Sequence, residues 1–402
     1  MFDMKLSQRI KNTPESPIRK LEPAARSAKA RGIKIYHLNI GQPDIKTPNQ
    51  MVSWLKKTNI HHLAYTESQG NRQLIKSIVK YYHQLGAKDI TEDNVIITAG
   101  GSEAIQWCFF SICEIGDEVM VFEPFYTNVE GYARMADVKL VPVTCKIENG
   151  FHLPSNQVIK SKITKKTKAV YLSNPNNPTG TYYSPSEVKR LYQLCLKNNL
   201  YLIVDEVYRD FIYQKVKLST ALNFEKKSQK GRMIIVDSFS KRYSLCGIRV
   251  GFMVSRNKEL IQNVLKFGQA RLAVGDLDQQ IAGRMDQVPP DYLKKVKKEY
   301  QERREVIYQG LKKIPGAVFT KPEGAFYYVT KLPVGDADKF CEWLLTSFHH
   351  NQETVMLAPA NGFYLSKGKG KEEVRIAYVI KKSGLRKAMV MLKLAVEKWN
   401  RE

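Results

Sequence analysis

Nowhere in this chain do apolar residues run for the roughly 18 positions that a membrane-crossing helix needs, so no membrane span is expected. The opening Met1-Phe2-Asp3-Met4-Lys5-Leu6-Ser7 has no apolar signal core, which points to the cytoplasm. Cysteine is scarce. Cys108, Cys113, Cys145, Cys195, Cys246 and Cys341 show no paired metal-ligand spacing, so no metal site is expected. Disulfides are not expected in a reducing compartment, and Cys108 and Cys113 fall in an apolar helical stretch that reads as core. Repeats and low-complexity segments are missing too. Acidic residues are few: 39 Asp and Glu against 64 Lys and Arg leave a net charge of +25. Such an excess could serve nucleic acid or small anions. The lysines lie in short scattered clusters, such as Lys56-Lys57, Lys165-Lys166, Lys226-Lys227 and Lys297-Lys298. No helix-turn-helix, zinc finger or aromatic RNA platform accompanies them, so a solvated surface that attracts small anions is expected, and nucleic acid is not.

What is present is a set of apolar runs that end in chemistry. Met233-Ile234-Ile235-Val236 reads as a buried strand and leads into Ser238-Phe239-Ser240-Lys241, with Arg249 eight residues beyond the lysine. Open α/β sheets collect ligands at strand C-terminal ends. A lysine there can form a Schiff base with an aldehyde cofactor, while hydroxyls and an arginine hold a phosphate. That combination describes an anchor for pyridoxal 5′-phosphate. A solvated strand-end lysine is the plain alternative for this segment alone.

Three more runs behave alike. Tyr201-Leu202-Ile203-Val204 ends in Asp205-Glu206-Val207-Tyr208, where Asp205 could pair with a pyridinium nitrogen or simply cap a helix. Tyr208 could donate to the ring's 3′ oxygen. Ala169-Val170-Tyr171-Leu172-Ser173 leads into Asn174-Pro175-Asn176-Asn177-Pro178-Thr179-Gly180, a rigid loop presenting the Asn177 amide. Val95-Ile96-Ile97-Thr98 leads through Gly100-Gly101-Ser102 into a helix, a terminus suited to phosphate.

Length suggests two domains or more. Short apolar runs alternate with helical stretches from about 95 to 254, which predicts a mostly parallel sheet with helices on both faces. Arg19 to Arg31, Gly70 to Leu85 and Asp291 to Lys313 read as helical, and Ile33 to Leu38 as a strand. Toward the C-terminus the style changes to strand (Ala325–Val329), helix (Ala337–Ser347), strand (Val374–Val379) and helix (Leu385–Trp399), an α+β layer.

Taken with Asn39-Ile40-Gly41-Gln42-Pro43-Asp44, Tyr65, Gly70, Pro124-Phe125-Tyr126 and Arg375-Ile376-Ala377-Tyr378, these motifs resemble, in order, the fold-type I pyridoxal-phosphate aminotransferases of class I/II, the aspartate aminotransferase superfamily. The resemblance runs from about residue 30 to the C-terminus. It implies an α/β fold with a mostly parallel seven-stranded sheet in a large cofactor domain (49–285) and a smaller α+β domain from 1–48 and 286–402. It implies Lys241 as the Schiff-base lysine, Asp205 as the pyridinium partner, and Tyr208 and Asn177 as ligands of the 3′ oxygen. Tyr126 would stack on the ring. Gly101, Ser102, Ser238 and Arg249 would hold the phosphate, with Tyr65 reaching it from the neighbouring subunit of a homodimer. Arg375 and Gly41 would bind the substrate α-carboxylate, and Asn177 would face the substrate as well as the 3′ oxygen. Cys246 stands where the family often has threonine.

The implied activity is ping-pong amino transfer between an L-amino acid and a 2-oxo acid such as 2-oxoglutarate. A loose match places Arg271 near the side-chain-reading arginine that, in dicarboxylate-specific relatives, crosses from the partner subunit, so an aspartate or glutamate donor is the expectation. An aromatic or broad-range aminotransferase and a carbon–sulfur or β-lyase on the same scaffold are the alternatives. A cofactor-binding nucleic-acid regulator is the remote one, since it would normally carry a fused DNA-binding module and only about 30 residues precede the enzyme-like region.

Overall fold

A computed structural model describes residues 6–56, 61–62, 64–226, 229 and 231–402; Lys57 and Lys227 of two lysine clusters, and the first five residues of the opening segment, lie outside these. The apolar runs pair into one seven-stranded sheet. Its strands in chain order are β1 (Val95–Thr98), β2 (Glu118–Glu123), β3 (Lys139–Thr144), β4 (Thr167–Ser173), β5 (Tyr201–Asp205), β6 (Met233–Ser238) and β7 (Gly251–Ser255). The spatial order is β1-β7-β6-β5-β4-β2-β3, with β7 alone antiparallel to its neighbours. Helices cover both faces, so most strands are buried throughout and read as continuous apolar runs. Alternate residues feed two cores. Ile97, Leu202 and Ile235 pack with Leu74, Ile78 and Leu191, while Ile96, Ile203 and Ile234 pack with Ile105, Cys108 and Val264. Cys113 differs from expectation: it caps the Gly101–Ile112 helix and is only half-buried.

A third core joins the two ends of the chain. Lys34–His37 pairs in parallel with Glu353–Met356, and Tyr327–Lys331 lies beside Glu373–Ala377 in a four-stranded antiparallel sheet. The helices Asp291–Leu311, Ala337–Thr346 and Lys382–Trp399 pack on this layer. Two boundaries differ from the sequence reading. The first strand of the antiparallel pair begins at Tyr327, not Ala325. Ala325 adopts a left-handed φ of 52°, and its carbonyl accepts hydrogen bonds from the Tyr213 and Tyr378 hydroxyls, so it cannot join the ladder. The helix expected over Arg19–Arg31 begins at Glu22, with Pro23 in its first turn, and residues 17–21 form a separate turn. Among the described residues no helix is long and apolar enough to cross a membrane.

His152 clasps two parts of the fold together. Its Nδ1 lies 3.1 Å from Glu187 Oε1, on the Pro185–Lys197 helix, and its Nε2 lies 3.4 Å from Glu323 Oε2, just before the small sheet. Hydrogen bonds to both carboxylates raise His152 to about 10. Burial raises Glu187, but the His152 and Ser184 bonds outweigh it and lower the group to about 2. The raised imidazolium contributes most below its unfolded pKa of about 6.5, and that contribution fades as pH rises toward 10. The depressed carboxylate contributes above about 4.5 and loses its share as pH falls to 2. The pair is partly solvated, so the gain is about 1 kcal/mol. Urea unfolding of His152→Gln should therefore show its largest loss between about pH 5 and 6.5 and a shrinking one toward pH 10; a loss that does not vary with pH would contradict this.

Candidate active site

The parallel strands deliver their C-terminal ends to one edge of the sheet, and a cavity of ≈ 520 Å³ opens there. Asp205 ends β5. Its Oδ1 accepts the Val207 N–H at 3.1 Å and its Oδ2 accepts the Tyr171 hydroxyl at 2.9 Å. Burial raises Asp205 to about 6, against the lowering effect of those two bonds. No cation pairs with it among the described residues, so the carboxylate faces the cavity ready for a positive charge from a ligand.

The chain then supplies Tyr208, whose hydroxyl lies 2.7 Å from that of Tyr327. From β4, the Asn174–Gly180 loop is held by Asn174, which exchanges two hydrogen bonds with the Tyr183 backbone, and by Asn176, which donates to Pro124 O at 3.2 Å. Asn177 is thereby fixed at the cavity, and its Oδ1 accepts from Arg375 Nη1 at 3.0 Å. Tyr126, after β2, lines the cavity as well.

β6 ends in Ser238, whose Oγ accepts the Ser240 N–H at 3.1 Å and starts the short Phe239–Arg242 helix. Lys241 Nζ donates to Gly41 O at 2.9 Å and lies 3.9 Å from Cys246 Sγ. Cys246 in turn donates to Ser240 O at 3.1 Å. At the end of β1, Gly100 has φ 82° and starts the Gly101–Ile112 helix. A Cβ on Gly100 would lie 2.5 Å from Arg249 Nη2, so glycine lets the guanidinium lie against the helix terminus. Ser102, Gly101, Ser238 and Arg249 all line the cavity. Free N–H groups, a hydroxyl and a guanidinium together can hold a phosphate.

Arg375 is the most telling side chain. It is only 1 % exposed, yet no carboxylate pairs with it among the described residues. Its Nη2 donates to the Asn39 carbonyl, its Nε has no partner, and its face lies 4.7 Å over the Tyr327 ring. Burial lowers its affinity for protons. A buried, unpaired guanidinium at a cavity wall is stabilised by an incoming carboxylate.

The profile for aminotransferase class I and II matches residues 33–392. The chain belongs to the class I and II aminotransferases. It is similar to the aspartate aminotransferase of Pyrococcus horikoshii, at 32 % identity over 371 residues, 90 % of this chain and 91 % of the relative. The crystal structure of aspartate aminotransferase from Thermotoga maritima matches with a TM-score of 0.87 at 29 % identity, covering 98 % of this chain and 100 % of that one. An alanine aminotransferase from Pyrococcus furiosus matches with a TM-score of 0.87 at 30 % identity and the same coverage. The family is pyridoxal-phosphate-dependent, and the seven-stranded, mostly parallel sheet is the one its fold implies. The residues present fit that cofactor: a cation-less buried carboxylate, a primary amine and an anion cradle share one cavity.

Two expected site residues, Tyr65 and Arg271, belong in that expectation to the neighbouring subunit's site, and within this chain both stand away from the cavity. Tyr65 is 80 % exposed and does not line the cavity. Arg271 does not line it either. Its Nη1 pairs with Glu103 Oε2 at 3.0 Å, its Nε donates to Leu272 O, and it stacks over Trp107, so its guanidinium is committed to its own chain. The sequence reading missed Arg19 and Tyr327, which line the cavity, and Tyr171, which orients Asp205. A tyrosine within an otherwise aliphatic strand run was the available signal for Tyr171.

Beneath the site lies a buried charge cluster. Asp237 accepts from Arg209 at 2.6 Å and from Arg242 at 2.8 Å. Arg242 also pairs with Asp210 at 2.5 Å and stacks 4.5 Å over Tyr81, while Arg209 pairs with Glu206. Arg242 adjoins Lys241, so this cluster fixes the segment that carries the amine. Arg242→Met strands Asp210 and half of Asp237 and should cost about 3–5 kcal/mol in denaturant unfolding. Arg242→Lys should recover little, because an ammonium cannot bridge two carboxylates in a plane; full recovery would contradict the geometry.

Proposed function

We propose that this aminotransferase moves amino groups between dicarboxylic L-amino acids, aspartate or glutamate, and 2-oxo acids such as 2-oxoglutarate, by a ping-pong mechanism. The observation that carries the reading is charge: among the described residues, the cavity walls hold Arg19, Lys241, Arg249 and Arg375 against one carboxylate, Asp205. One phosphate and one α-carboxylate leave positive charge for a further anionic group. The names of the Pyrococcus horikoshii and Thermotoga maritima relatives agree with an acidic donor.

In this reading Arg375 takes the α-carboxylate, aided by Asn177, with Gly41 contributing backbone beside it. A Cβ on Gly41 would overlap the Tyr327 hydroxyl, which suits glycine to a close approach. Gly101, Ser102, Ser238 and Arg249 would hold the phosphate, Tyr126 would pack against the ring, and Tyr208 and Asn177 would serve its 3′ oxygen. Asp205 would supply the negative charge that stabilises a proton on the ring nitrogen. Pyridoxal phosphate, when bound, supplies the electron sink that makes the substrate Cα proton acidic. Lys241 Nζ would be the base that takes that proton and returns it; it donates to Gly41 O, the backbone beside the α-carboxylate in this reading.

The assembly proposed is a homodimer, in which the exposed Tyr65 reaches the partner's phosphate. Residues 49–285 form the cofactor domain, and 1–48 with 286–402 the smaller one. Six free thiols suit a cytoplasmic setting.

Borohydride reduction of the cofactor-loaded protein, followed by peptide mapping, should place the pyridoxyl group on Lys241; another lysine would refute the assignment. Asp205→Ala should keep the cofactor yet lower turnover by about 10²–10³-fold. Among wild-type donors, aspartate and glutamate should give the highest kcat/KM, and a preference for phenylalanine or alanine would overturn the acidic-donor reading.

A further inference from the structure

Of the four cations at the cavity, three have roles in the proposed reaction and Arg19 has none. It forms no ion pair among the described residues, while its neighbour Lys20 pairs with Asp338. The turn that carries Arg19 is nonetheless firmly seated. Ser16 O accepts the N–H groups of Arg19 at 3.0 Å and Lys20 at 3.1 Å. Leu21 is buried in the core of the small layer, and Pro17 lies so close to Gly362 that a Cβ there would stand 2.5 Å from it. Asn39 Nδ2 donates to Ile18 O at 3.3 Å. The carbonyl of that same Asn39 accepts from Arg375 Nη2. One residue thus braces both the turn bearing Arg19 and the arginine that faces the α-carboxylate.

We infer that Arg19 is the side-chain reader of this enzyme, pairing with the distal carboxylate of dicarboxylic amino acids and 2-oxo acids. The inference rests on the acidic-donor reading and takes the specificity role away from Arg271, whose guanidinium Glu103 already occupies. The electrostatics define the kind of selectivity. Arg375 is buried, so a substrate without an α-carboxylate leaves it unpaired at a large penalty. Arg19 is exposed and hydrated, so a short neutral side chain leaves it in water at little cost. The site therefore favours dicarboxylates and still accepts monocarboxylic donors. Ser16 and Gln42, which also line the cavity, add neutral hydrogen-bonding groups.

The test uses the loaded holoenzyme and two readouts. In the single-turnover donor half-reaction, Arg19→Gln should lower kcat/KM for aspartate and glutamate by roughly 10- to 100-fold, and for alanine and phenylalanine by less than about 3-fold. Arg19→Lys should fall between wild type and Arg19→Gln. Calorimetric binding of succinate, which reports no turnover, should weaken in Arg19→Gln by a similar factor while butyrate binding holds. Arg271→Ala should leave the dicarboxylate-to-monocarboxylate ratio as in wild type. A wild-type preference for dicarboxylates that survives intact in Arg19→Gln would overturn the role of Arg19 and leave the donor reading standing. Equal losses for all donors would do the same. Absence of the preference in wild type would overturn both.

Discussion

Everything at the active edge rests on Asp237, a wholly buried carboxylate near the end of β6 that is shared by two arginines. Three acidic groups and two guanidiniums in a dry interior have large desolvation costs, and they persist because each is closely paired. Arg209 follows Asp205 by four residues and Arg242 follows Lys241 by one, so the cluster ties the two strand ends that bear the central carboxylate and the amine. A hydrophobic substitute of equal volume could pack as well. It could not fix the relative registry of these two loops through directional bonds.

A second constraint is the opposite treatment of two ionic groups at the cavity. Asp205 is raised by burial and Arg375 is lowered by it, and neither has a counter-ion among the described residues. Each keeps its charge at a cost, and a ligand of opposite charge relieves that cost at each point. The cavity is thus electrostatically unfinished in two places, in the pattern of a cationic ring and an anionic substrate.

The chemistry at the strand ends was legible because each motif sits within a few residues of an apolar run that betrays its strand. Lys241, Asp205 and Asn177 needed only the rule that parallel strands share a C-terminal edge. Residues brought in by tertiary folding were not legible. Arg19 read as the start of a helix, since Pro23 sets the true start beyond it and the turn is stabilised by Asn39, 21 residues from Ile18. The pairing of Arg271 with Glu103, 168 residues away, was not legible either. Strand limits failed at Ala325 for a local reason, a left-handed φ that composition does not reveal.

The shared brace at Asn39 has a consequence for how substrate length is measured. Its backbone carbonyl accepts from one arginine and its side-chain amide donates to the turn that carries the other, so one residue links the two roots. Such a link would hold the two roots at a near-constant separation, like the fixed jaw of a caliper. If Arg19 pairs with the distal carboxylate as inferred, adjustment between a four-carbon and a five-carbon diacid would fall to the rotamers of its side chain, the sliding part. Evolution or design aimed at longer substrates would act most cheaply on that side chain, because shifting the frame itself would disturb the grip on the carboxylate that every substrate carries.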